Sequence, residues 1–138
     1  MKKFLILFVF FFGAFPMMTF SAQPPQIEVF DVTQGKVTKS IPMEDKNKEE
    51  ALKLVKSADS LFPNLNPTPK TGFMVKVIFE PAQDIETKVL NQPVTQVIFI
   101  FPDAEKPYML IFNEKDQPMF YYFSEDFAPF LEMLGMPN

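Results

Sequence analysis

Phe73, Val75, Val77 and Phe79 alternate along the chain with Met74, Lys76, Ile78 and Glu80. A period of two places the first set on one side of a β-strand, so this segment predicts a strand with one well-buried face. Val97–Phe101 is apolar at every position, as a central strand is, and Tyr108–Phe112 and Met119–Phe123 repeat that character with more aromatics. The connections at 102–107 and 113–118 are short and polar, so the three runs predict an antiparallel meander, with the Phe73 strand paired beside it. Near the start, Gln26–Val32 and Val37–Ile41 flank Thr33-Gln34-Gly35-Lys36 and predict a hairpin. Val37, Lys39 and Ile41 share one side of its second strand, which suits a sheet edge with one wet face.

Two segments carry a helical period instead. Ala51, Leu54, Val55, Ala58, Leu61 and Phe62 recur at spacings of three and four, so a helix is expected from Asp45 to Phe62, with Asp45 as N-cap, Glu49–Lys53 as an ion pair and Pro63 as the stop. Phe127, Phe130, Leu131 and Leu134 mark a second helix over 126–134, capped by Asp126 and closed by Gly135 and Pro137. Between the first helix and the Phe73 strand, residues 63–72 hold three prolines and a glycine and predict an extended connection. Residues 81–93, bounded by Pro81 and Pro93, read as irregular. The order ββ-α-β-βββ-α predicts an α+β domain: an antiparallel sheet of about five to six strands, an N-terminal hairpin plus a C-terminal meander, in a two-layer sandwich with two helices.

The N-terminus changes the picture of where this domain works. Lys2 and Lys3 precede an apolar run from Phe4 to Phe15, followed by Pro16 and the small-residue stretch Thr19-Phe20-Ser21-Ala22. That layout predicts a secretory signal peptide over residues 1–21, cut after Ser21, with 22–138 as a single exported domain. The run is shorter than the roughly 20 apolar residues of a spanning helix and is broken by Gly13 and Pro16, so a membrane anchor is the lesser expectation. A chain without cysteine cannot be a lipoprotein, because acylation needs the thiol.

The exported part carries 11 lysines against 17 acids, a net charge near −6. A surface of that sign repels phosphate, which argues against nucleic acid and anionic lipid as partners. Cys, His, Arg and Trp are all missing. Without cysteine an exported domain has no disulfides and depends on burial of apolar surface, for which 11 Phe and 3 Tyr supply material. Lysine as sole cation, with heavy Phe and Ile use, fits a bacterial secreted protein from an AT-rich genome.

The same absences remove most chemistry. Ser-His-Asp and Cys-His catalysis, and thiol or imidazole metal sites, need residues the chain does not have. No phosphate-cradling glycine motif occurs, so no cofactor is expected. A carboxylate-dependent hydrolase or carbohydrate-active enzyme would draw on Glu80, Asp84, Glu86 or Asp103, but no spacing singles out a pair. Ser57 beside Lys53 and Lys56 lacks the context of a Ser-Lys nucleophile. Asp45-Lys46-Asn47-Lys48-Glu49 begins like a calcium loop, yet Glu50 stands where glycine is required and Lys56 where the bidentate acid belongs.

The positive signal is aromatic. Tyr108, Phe112, Phe120, Tyr121, Tyr122 and Phe123 fall on consecutive strands of the expected meander and so divide between both sheet faces. Two helices on one face leave the other exposed unless residues 81–93 or the first hairpin cover it. An exposed aromatic face predicts protein binding or self-association, since Tyr and Phe are enriched in interface cores. The expected function is therefore a non-enzymatic exported domain that binds protein at or outside the bacterial cell envelope. A structural, self-associating envelope component is the other non-enzymatic alternative.

Overall fold

The computed structural model describes residues 25–61 and 69–137. The expected signal peptide, Phe62 at the expected helix end and residues 63–68 of the proline-rich connection lie outside the described residues. The chain forms β1 (Gln26–Asp31), β2 (Lys36–Pro42), α1 (Asp45–Lys56), β3 (Ala58–Leu61), β4 (Phe73–Glu86), β5 (Asn91–Phe101), β6 (Tyr108–Phe112), β7 (Pro118–Phe123) and α2 (Ala128–Met133). The strands make one antiparallel sheet in the order β2-β1-β4-β5-β6-β7-β3. The α+β class, the hairpin at an edge and the β5–β7 meander beside β4 follow the sequence pattern.

The seventh strand does not. Residues 58–61 continue the apolar helical stripe, yet α1 stops at Lys56 and β3 pairs with β7, Ala58 opposite Phe123 and Leu61 opposite Tyr121. Ser and Asp at 57, 59 and 60 favour competing local backbone hydrogen bonds over helix. Ser57 makes the break concrete: its Oγ donates to Leu54 O at 2.8 Å and accepts from Glu125 N–H at 3.0 Å. The Ser57 carbonyl accepts from Ser124 N–H at 3.1 Å, which ties the helix end to the end of β7.

Within 81–93, residues 81–86 and 91–93 are likewise strand rather than irregular, and only the turn at 87–90 is not. Beyond a register shift between Ile78 and Gln83, β4 and β5 continue as a two-stranded ribbon, Asp84 opposite Pro93 and Glu86 opposite Asn91. Among the described residues neither strand has a second neighbour there, so proline is tolerated as it is at any sheet edge. The ribbon carries Ile85, Leu90 and Val94 into the main core.

Smaller details also shift. The N-cap of α1 is Glu44, whose N–H donates to Oδ1 of the buried Asn47 at 2.7 Å. Lys53 pairs with Glu50 at 3.0 Å, one residue nearer than Glu49, and that carboxylate holds its ammonium above the usual lysine range. Helix α2 begins after Phe127, with Asp126 Oδ1 accepting from Ala128 N–H at 3.0 Å. It closes with Gly135 N–H on Glu132 O and Met136 N–H on Leu131 O, the paired bonds of a Schellman end.

One set of alternate strand residues meets the helices. Ile27 and Val29, Val75, Val77 and Phe79, Val97 and Phe99, Met109 and Ile111, Tyr121 and Phe123 form a single cluster with Ala51, Leu54 and Val55 of α1 and with Phe130, Leu131 and Leu134. Phe99 lies at its heart, edge-on to Phe123 at 6.0 Å and to Phe130 at 5.3 Å. The other set of strand residues defines an outward sheet face, and that face holds the candidate site.

Candidate interaction surface

Register decides which aromatics reach the outward face. Met109 stands opposite Tyr121 and Leu110 opposite Phe120. Because Met109 belongs to the core, Tyr121 and Phe123 do too, only 3 % and 5 % exposed. These two of the six sequence-selected aromatics are interior side chains. Tyr108, Phe112, Phe120 and Tyr122 share the outward side, where Tyr108 and Phe120 meet edge-to-face at 6.3 Å and Lys106 Nζ lies 4.4 Å from the Tyr122 ring. Phe112 is 42 % exposed, whereas Tyr108 is 1 % exposed, so the surface opens unevenly. Burial raises the phenol pKa of both Tyr108 and Tyr121 above the usual tyrosine range, with Glu105 adding to the effect at Tyr108.

The outward face extends further than the meander. Phe30 of β1, Met74 and Ile78 of β4, and Ile98 of β5, all half-buried, continue the apolar surface across the sheet, while Ile100 on the same side is buried. Between Val29 and Phe30 a β-bulge shifts the pairing, so that Val37 stands opposite Phe30 while Lys39 stands opposite Val29. Val37 therefore leaves the side that Lys39 and Ile41 share, contrary to simple alternation, and joins the outward face at 47 % exposure. Phe30, Val37, Met74 and Ile98, with Glu28 and Lys76 at one end, line a shallow groove of about 280 Å³. Glu28 and Lys76 are register partners on neighbouring strands, and their charged atoms are 3.7 Å apart. The first hairpin enlarges this face instead of covering it, and the 81–93 ribbon gives its apolar side chains to the opposite side.

The groove residues were not singled out from the sequence, because they come from four strands and one depends on a bulge. The usable signal was a strand with apolar residues at both parities, as in Met74-Val75 and Ile98-Phe99.

The carboxylates considered for catalysis are placed apart from the groove. Glu80, Asp84 and Glu86 are exposed along β4 and its ribbon, and Asp103 is exposed in the β5–β6 connection. A second depression of about 350 Å³ collects Asp59, Glu125, Asp126 and Lys106 around Phe123 and Phe127. Among the described residues no cluster of three or more acids is placed to hold a metal ion. Ser57 Oγ is engaged with Leu54 O and Glu125 N–H, and Lys53 with Glu50, so this pair does not form a nucleophile and its base.

No protein-family profile, curated protein or solved structure matches this chain. Among the described residues no helix is long and apolar enough to cross a membrane.

Proposed function

We propose that the chain is an exported, non-enzymatic domain that binds protein at or outside the cell envelope through the outward face of its sheet. The observation that carries this reading is the groove of Phe30, Val37, Met74 and Ile98, continued towards the exposed Phe112. A contiguous apolar surface of this kind stays in contact with water only at a cost, and burial in a partner recovers about 25 cal/mol per Å². The reading takes the domain as a two-layer sandwich whose helices occupy the other face. Export rests on the lysine-led apolar segment at the N-terminus and on a domain without cysteine.

The test is crosslinking on intact cells that make the full chain, with identification of what is captured, set beside a Phe112→Ser, Val37→Ser variant. Both positions are exposed, so the variant keeps its fold. The expected result is a protein captured by the parent chain and lost with the variant. Equal capture by both refutes the outward face as the binding surface.

A further inference from the structure

The groove has an internal symmetry that selects its partner. Outward residues of β2, β1, β4 and β5 form two rows in register: Ser40, Glu28, Lys76 and Ile98, then Val37, Phe30, Met74 and Ile100. Consider a two-fold axis parallel to the strands, passing between β1 and β4 in the plane where two outward faces meet. It lays β1 over β4 and β2 over β5 of the other copy while preserving height along the strands. Glu28 of each copy then faces Lys76 of the other, and Phe30 faces Met74. Ser40 then lies over Ile98, and Val37 lies over β5 at the height of Ile100, which is only 3 % exposed, so the apolar contact is centred on Phe30 and Met74.

From this exchange of register partners we infer that the groove is the interface of a symmetric dimer, and that its occupant is a second copy of this chain. The inference rests on the outward face being a binding surface, as proposed above. A two-fold interface must be complementary to itself. This one is, in charge and in apolar character, because Glu28 and Lys76, the charges of the two rows, are opposite in sign and at the same height on adjacent strands. Edge-to-edge pairing through β2 is disfavoured by contrast. Lys36 and Lys39 lie on that strand and Pro42 ends it, which are the features that block strand addition. Lys39 is also committed, with Nζ 3.2 Å from Leu134 O and 2.9 Å from Gly135 O.

Size sets the strength. Four strands about 4.8 Å apart and six residues long present on the order of 400 Å² in projection. Stable interfaces bury about 800 Å² per partner. The dimer is therefore a weak one that dissociates on dilution through the micromolar range.

The absence of cysteine makes a direct test available, because Met74→Cys introduces the sole thiol. Two copies of that position lie about 5 Å apart laterally across sheets packed roughly 10 Å apart. A maleimide–diazirine crosslinker attached there, in cells making the full chain, is expected to give a chain-to-chain product of twice the mass. The same probe on Lys115→Cys, in the β6–β7 turn, is expected to give none. If Met74→Cys captures only a different protein, the dimer is overturned while the binding face stands. If it captures nothing, both fall. The charge pair gives a second measurement by sedimentation. Glu28→Lys or Lys76→Glu alone brings four like charges together and weakens self-association at least about tenfold. Mixing the two variants restores it as a heterodimer, since one chain then carries two positive charges and the other two negative. Unchanged association in either single variant, or no recovery on mixing, overturns the inference.

Discussion

Gly72 and Gly35 offer a controlled pair for separating backbone strain from steric exclusion. Both have positive φ, +101° and +68°. A Cβ at Gly35 meets nothing within 4 Å, whereas at Gly72 it would lie 2.2 Å from Phe101 O and 2.9 Å from Pro102 Cα. Those atoms are backbone and cannot rotate aside. Gly72 also anchors its surroundings: its carbonyl accepts from Val32 N–H at 3.0 Å, and the next residue, Phe73, stacks on Phe101 at 5.1 Å. Gly35→Ala is expected to cost about 1–2 kcal/mol, the strain of an L-residue in the left-handed region. Gly72→Ala incurs a similar strain plus about 1–3 kcal/mol for forcing β4 away from β5, and so about 2–5 kcal/mol in all. Urea unfolding followed by far-UV circular dichroism and tyrosine fluorescence measures both, the chain having no tryptophan to mask the tyrosines. Equal loss in the two variants would show that the β4–β5 contact does not exclude a methyl group, and would refute the reasoning.

Phe99→Ala removes a fully buried ring together with its edge contacts to Phe123 and Phe130, and is expected to cost about 3–5 kcal/mol in the same unfolding experiment. Phe112→Ala, on the outward face, should cost under about 1 kcal/mol, so comparable losses would contradict the assignment of faces. Lys39→Met keeps the aliphatic stem but removes the ammonium donor to Leu134 O and Gly135 O, which water can partly replace, for a loss of about 0.5–1.5 kcal/mol by urea titration. The Tyr121 phenol has a raised pKa in the folded state, so its contribution is intact below the ordinary tyrosine pKa near about 10 and is lost as pH rises through the folded value. Stability measured across that alkaline window should fall less steeply in Tyr121→Phe than in the parent, and identical slopes would count against a buried phenol.

Local pattern reached as far as local causes did. The alternation at Val75, Val77 and Phe79, the hairpin turn at Gly35 and the stripes at Ala51–Val55 and Phe130–Leu134 were legible, because each is written in neighbouring residues. Strand β3 was not, since Leu61 extends a helical stripe and its true partner, Tyr121, lies far along the chain. The β4–β5 ribbon was hidden by Pro81 and Pro93, which a two-stranded ribbon tolerates. At the surface, sequence showed that the aromatics must divide between two faces but not which went where. That needed the pairing of Met109 with Tyr121, and the groove needed a bulge that simple alternation cannot register.

The pairing of β3 with β7 also fixes the order in which the molecule can be completed. β3 is made early, yet the strand beside it among the described residues is the last to be made, and two of the rings around Phe99 belong to residues 123 and 130. A growing chain that has reached only Phe112 holds an open edge where β7 belongs and a half-filled core. Closure is a long-range event of the kind that slows folding. The nascent chain therefore stays unfinished until β7 and the residues around Phe130 have been made.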